Sequence, residues 1–379
     1  MKSYFKYLIK KRFPVYLAIF IIFLVLFLSI NTIGNVVNST YIRDRFIKYT
    51  SEGIFLVYII SFAIAIGVIV PFEFSFKMKN ITANQAYSLP IKREKLYLTK
   101  YLFGFLEVLV PFTLAYSLSV LFLAGGHLYE YANMLGFLVF YGLLLAVGIV
   151  IYSIEVFVFC QANNEIDGLV FMAFACVLPF LVAFFIIMNA SFGGYTIKDI
   201  PYYYILPLIY DLANAVGSYV LFKGHIYNPY NMNSYNLNMT PEYIVRISLF
   251  AALGIACFIG QYFASKRFKS EDAGQKSESW FGYKTYIPVS MILACYSIFH
   301  AEIVFYFIVL ISTYLLYVLY RRSFKLNKKT WIVFACVALS ETVSYIVGYE
   351  VYEFATNQPN YHGYFSYVLF NYVSPRILA

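Results

Sequence analysis

Residues 287 to 320 read IPVSMILACYSIFHAEIVFYFIVLISTYLLYVLY, 34 positions with no lysine or arginine and with Glu302 as the sole acidic side chain. A single helix of that length would measure about 51 Å at the α-helical rise, whereas the hydrocarbon of a bilayer is about 30 Å thick. The polar group His300, Ala301, Glu302 falls at the midpoint, so two short helices joined by a turn are expected. The rest of the chain has the same character. Of 379 residues, 61% are hydrophobic and 12% charged, against roughly 45–50% and about 25% in soluble domains. A soluble core stops growing near 250–300 residues, as a rough limit, and the surplus would lie exposed in apolar patches. Composition therefore excludes a soluble enzyme, a disordered chain and a fibre, and predicts an all-α polytopic membrane protein.

The length rule marks further spans near 14–34, 54–73, 101–124, 135–158, 168–189 and 243–264, with 330–348 following the hairpin. The organisation expected is a transmembrane core over 1–264, a basic linker over 265–286, three additional spans over 287–348 and a Tyr-rich tail over 349–379. The basic start MKSYFKYLIKKRF precedes an apolar run with no small-residue cleavage site after it, so the first span is expected to be retained. Net charge is +9, from 28 Lys+Arg and 19 Asp+Glu. With the amino terminus in the cytoplasm, segments 1–13, 76–100, 159–167, 265–286 and 321–329 face inward and hold 21 of the 28 cations. That bias follows the positive-inside rule and calls for no nucleic acid. Because 265–286 and 321–329 are both basic, an even number of crossings separates them, which again requires the hairpin. Nine spans and an outer carboxy terminus result. Tyr202 to Phe222, YYYILPLIYDLANAVGSYVLF, would reverse the sidedness of 265–286 if it crossed, so it is expected as a re-entrant or interfacial element of an outer loop, 190–242.

Recognisable catalytic chemistry is scarce. The sequence contains no G-x-x-x-x-G-K-[ST], no G-x-S-x-G and no H-E-x-x-H. Cys160, Cys176, Cys257, Cys295 and Cys336 lack paired spacing and read as small core residues, so no metal or other cofactor is expected. His127, His225, His300 and His362 fall at outer edges, and Arg246 reads as an interface anchor. Charges inside a membrane cost at least about 2.5–3.5 kcal/mol at its centre, so Glu107, Glu155 and Glu341 are the candidates for an intramembrane polar pathway. Glu107 is about two helical turns from Lys100 and Glu155 about one turn from the inner end, so snorkelling to the interface suits both equally well. Glu341 is the deepest.

Residues 76–102 read FKMKNITANQAYSLPIKREKLYLTKYL. The pattern is a short amphipathic helix with Thr82 as its cap, running to Leu89 and broken before Pro90, then a basic entry into the third span. It offers a partner a compact, ordered knob, although an ordinary basic loop obeying topology has the same composition.

Ser88, Leu89, Pro90, Ile91, Lys92, Arg93, then Leu96, Tyr97, Lys100 and Tyr101, resemble the corresponding segment of bacterial ABC-2 type permeases, the membrane subunits of ABC exporters. SKRFKSEDAG, Ser265 to Gly274, is similar to the basic segment after the sixth span of Gram-positive members, and Met1 to Phe13 resembles the family's connecting helix along the inner surface. The resemblance covers roughly residues 1–274 and implies an ABC-2 permease-like six-helix core, with about three further transmembrane helices beyond the family pattern. It implies a coupling helix in which Gln85, Tyr87, Ser88, Leu89 and Arg93 meet a separate ATPase subunit. That partner would bind ATP and magnesium, and a second permease subunit, identical or homologous, would complete the pathway. The chain would then be no enzyme itself, but a plasma-membrane subunit for efflux of an amphipathic substrate, peptide or lipid-like. Two other readings remain: an ion-coupled secondary transporter using Glu107, Glu155 or Glu341, and a membrane-embedded acyltransferase with His300 and Glu302 as its acid/base pair.

The topology is tested by single cysteines in a cysteine-free background. Lys269→Cys and Lys325→Cys are expected to react with an impermeant maleimide only in inverted vesicles, and Asn357→Cys only in intact cells.

Overall fold

The computed structural model describes residues 2–40, 45–125, 134–192, 241–277, 279–297 and 303–356. Among them the chain is helical, with turns and no β-strand, as a backbone in lipid must be when water is not there to satisfy its amides and carbonyls. The helices are α1 (Lys2–Thr40), α2 (Arg45–Phe74), α3 (Asn80–Tyr87), α4 (Arg93–Ala124), α5 (Met134–Cys160), α6 (Glu165–Phe192), α7 (Pro241–Ser265), α8 (Tyr283–Ser297), α9 (Ile303–Arg321) and α10 (Lys328–Thr356). A 3-10 turn, Ser75–Met78, leads from α2 towards α3.

Among the described residues, seven stretches are long and apolar enough to span a bilayer: Tyr7–Asn31, Val57–Met78, Arg93–Phe122, Phe137–Cys160, Ile247–Ser265, Ile303–Arg321 and Lys328–Glu350. The protein is thus an all-α polytopic membrane protein. Of the nine expected spans, two are not among these seven. Residues 168–189 lie on α6, part of whose side chains fall outside the described residues. The first half of the 287–320 stretch lies on α8, whose 15 residues reach about 22 Å, short of the hydrocarbon thickness. The second half lies on α9, and residues 298–302 between them, with His300 and Glu302, lie outside the described residues. So do His127, His225, His362, residues 193–240 of the expected outer loop and the tail from 357.

Residues of the Met1 to Phe13 stretch, which resembles a connecting helix along the inner surface, are continuous with the first span: α1 runs unbroken through Pro14 for 39 residues. Leu8 is buried, and Arg12 pairs with Glu73 of α2, which holds this segment on the bundle.

The chain divides into two compact units, Met1–Cys176 with Tyr202–Gly282, and Val177–Pro201 with Tyr283–Ala379. In the first, α4 packs on α1, α2, α5 and α7, while α5 also packs on α2 and α7. Its centre is aromatic: the Phe27 ring lies 4.4 Å from that of Tyr58 and 5.6 Å from that of Phe112, and Phe62 lies 4.5 Å from Phe112. Asn31, Tyr58 and Ser119 form a buried network in which the Asn31 amide donates to the Ser119 hydroxyl and carbonyl, and the Tyr58 and Ser119 hydroxyls lie 2.6 Å apart. Within the helices, Thr113 and Ser153 donate to the carbonyls four residues back at 2.7 Å, so neither hydroxyl is stranded in lipid. Pro111 interrupts the ladder of α4.

The second unit packs α8, α9 and α10 on one another, and Phe185 of α6 lies 4.7 Å from Tyr296. Tyr306 and Thr342 share a hydrogen bond of 2.8 Å, and the Arg321 Nε donates to Thr330 at 2.6 Å. The five cysteines are free; Cys160 and Cys295 are buried, Cys257 is half-buried, and Cys176 and Cys336 are exposed rather than core residues as expected.

The contact of α5 with α7 depends on a missing side chain. A Cβ on Gly254 would lie 2.8 Å from Val150 Cγ1 and 3.1 Å from its Cα, too close for backbone to yield. Gly254→Val is expected to destabilise the first unit by about 1–3 kcal/mol, measured by thermal unfolding in detergent, with Gly142→Val, which meets open space, as the neutral control.

Candidate functional site

Two groups of residues at one end of the first unit stand out: the short helix α3 and a buried cluster of charges beside it. α3 begins where the chain leaves the 3-10 turn through Lys79, an extended residue at φ −115°, ψ 123°. Thr82 is not the cap expected for it. It sits inside the first turn, and its hydroxyl donates backwards to the Phe76 and Lys79 carbonyls at 2.7 and 3.1 Å, so it closes the entry from within. α3 ends at Tyr87, and Ser88 donates to the Gln85 carbonyl at 3.0 Å before Pro90 excludes further helix.

The five residues expected to meet a partner are placed differently from one another. Gln85, Ser88 and Arg93 are exposed, and Leu89 is half-buried. The Tyr87 ring lies 6.3 Å from that of Phe76 and 5.3 Å from the Arg93 guanidinium, with its hydroxyl buried. Burial pushes the Tyr87 phenol above its ordinary value, so it stays a neutral O–H donor. Arg93 also donates to the Phe268 carbonyl, so its head group is engaged within the chain. Ile81, which sequence reasoning passed over, is 75% exposed on α3 beside the exposed Asn84 and Gln85.

The charge cluster draws on three helices. Glu73, at the end of α2, is fully buried and takes Lys100 Nζ of α4 at 2.6 Å and the Arg12 guanidinium of α1 at 3.3 Å. Lys100 is itself buried, and Arg12 lies over the Phe72 ring at 4.2 Å. Glu107, 0% exposed, lies within electrostatic reach of all three. Both its oxygens lack a donor, and the group it faces, the Glu73 carboxylate, is an acceptor too.

The three candidate pathway carboxylates thus have separate surroundings. Glu107 belongs to this cluster. Glu155 of α5 lies against Gly67 of α2, whose missing Cβ would sit 3.8 Å from its Oε2. Glu341 belongs to the second unit and accepts from the Thr313 hydroxyl at 2.6 Å. All three are buried. Glu73 was missed because it closes an apolar run beside a basic loop, where an acidic residue reads as a boundary. The available signal was a carboxylate in the last turn of one span with Lys100 in the first turns of the next. Among the described residues no group of three or more His, Cys, Asp or Glu side chains is placed to hold a metal ion.

The seven apolar helices among the described residues define a multi-pass membrane protein. Comparison with protein-family models, curated proteins and solved structures finds no match to the chain.

Removing either carboxylate of the cluster tests its balance. Glu73→Ala strands the buried Lys100 ammonium and unpairs the partly exposed Arg12, and is expected to cost about 3–5 kcal/mol of stability. Glu107→Gln, which supplies a donor facing Glu73, is expected to be neutral or stabilising; both are read as shifts in thermal unfolding of the purified chain.

Proposed function

We propose that the chain is the membrane-spanning permease subunit of an ATP-driven exporter, with α3 as the helix on which a separate ATPase subunit docks. The reading is supported above all by α3 itself, an eight-residue helix held between two membrane-spanning helices. A topological loop needs only charge. This one carries a defined helix whose polar and apolar side chains, Ile81, Asn84, Gln85 and Ser88, face outward. Such a surface transmits movement only if it is joined stiffly to the spans. The buried Glu73 pairs lie two residues before the 3-10 turn that leads to α3 and supply that stiffness.

In this role the chain binds no nucleotide. Its partner hydrolyses ATP on the cytoplasmic side, where the basic segments would lie, and the force enters α2 and α4 through α3. A second permease subunit completes the pathway, and the substrate is an amphipathic molecule, peptide or lipid-like. Gln85 and Ser88, with Ile81, form the docking surface, Tyr87 and Leu89 support it from behind, and Arg93 belongs to its support.

Ile81→Asp with Gln85→Glu is expected to abolish co-purification with the ATPase while leaving expression and thermal unfolding unchanged. Wild-type efflux in cells in which no ATPase associates with the chain would overturn the proposal.

A further inference from the structure

The polar segment after α7 lies along α3 and is fastened at both ends. At its start, the Phe268 ring covers the buried Lys77 ammonium at 4.3 Å, Lys77 donates to the Cys160 carbonyl, and the Phe268 carbonyl accepts from Arg93. Lys266 also pairs with Glu94 at 3.7 Å. In the middle, the Asn80 side chain faces the Ser270 and Ala273 carbonyls at 3.1 and 3.0 Å, which assigns its NH2 group, the donor, to that side. At its far end, the Gly274 amide donates to the Asn163 carbonyl at 2.8 Å from a backbone at φ +74°, a conformation that favours glycine. The Ser277 hydroxyl accepts from the Asn163 amide at 2.9 Å and donates to Asp167 at 2.6 Å, and Ser279 donates to Gln161 at 2.9 Å.

These contacts join three places far apart in sequence: α3, the turn between α5 and α6, and the exit of α7. α3 alone has eight residues, too few to persist in water without tertiary support. Only Ala83 is buried along it.

We propose that residues 266–277 are a brace that sets the pose of α3, with Asn80, Asn163 and Ser277 as positioning residues and Arg93 holding the brace rather than contacting a partner. The brace stays closed through the working cycle, so α3 moves as one body with the α5–α6 turn and the end of α7. Its consequence for transport rests on the permease reading; its structural part does not. The charge of the segment, which the sequence explains by sidedness alone, thereby has a second use: Lys266, with the buried Lys77 and with Arg93, is drawn into ordering the docking helix.

The test is deuterium exchange of the full chain in lipid nanodiscs, with peptides covering residues 79–89. Ser277→Ala and, separately, Asn80→Ala, each of which removes two hydrogen bonds, are expected to speed exchange of the α3 amides at least about fivefold, the factor that one lost hydrogen bond already supplies. Asn80 is exposed, so its variant keeps the measurement available if the buried Ser277→Ala chain misfolds. Unchanged exchange in α3, with acceleration confined to 266–277, would overturn the brace. A disulfide formed in Asn80→Cys, Ala273→Cys is expected to leave stimulation of the ATPase partner at the wild-type level, and loss of stimulation on oxidation, restored by reductant, would overturn the closed cycle. Faster α3 exchange in a chain that binds no ATPase would uphold the brace and sink the permease reading, so the two fail separately.

Discussion

One carboxylate holding two cations sets the register of three helices. Apolar side chains in lipid gain little from meeting each other rather than acyl chains, so the hydrophobic effect that aligns helices in water does not select an alignment here. Glu73 does. Arg12 from α1 and Lys100 from α4 both reach it, and a slide of either helix by one turn would leave a charge buried alone. The same three helices are tied a second time by Asn31, Tyr58 and Ser119. Between the two ties lies the aromatic packing of Phe27, Phe62 and Phe112, whose rings fill space without specifying register.

The buried charges and the short helix form one mechanical series. Glu73 is followed directly by Phe74, the 3-10 turn Ser75–Met78 and then α3, and within that turn Lys77 is buried beneath Phe268. On the return side, Arg93 opens α4 and holds the Phe268 carbonyl, and Lys100 closes back onto Glu73. The loop between the second and third spanning helices is thus closed by side chains at its root and at its shoulder, so α3 is tied to α2 and α4 together.

Much of the fold was legible because membrane helices must be long, apolar and complete in their own hydrogen bonding. Seven spans could be placed from runs of apolar residues, and the position of α3 from Pro90 and the polar stretch before it. Thr82 was misplaced because cap preference describes an acceptor for free amides, while its hydroxyl serves as a donor to Phe76 and Lys79. The continuity of the basic start with the first span could not be read from its charges, and neither could the pairing of Arg12 with Glu73 of α2. The contacts of Asn80, Asn163 and Ser277 could not be read at all, since they join residues over a hundred positions apart by backbone carbonyls and hydroxyls that leave no mark on composition or periodicity.

Pro111 stands four residues after Glu107 in α4 and has no amide hydrogen, so the main-chain carbonyl of Glu107 is without its helical donor. A helix that loses one rung bends more easily at that level than elsewhere. Below this joint α4 is clamped through Lys100, and above it through Ser119. The two clamps therefore sit on either side of a pivot. α4 is built to let its halves swing about residue 111 while each stays fastened to the same two neighbours.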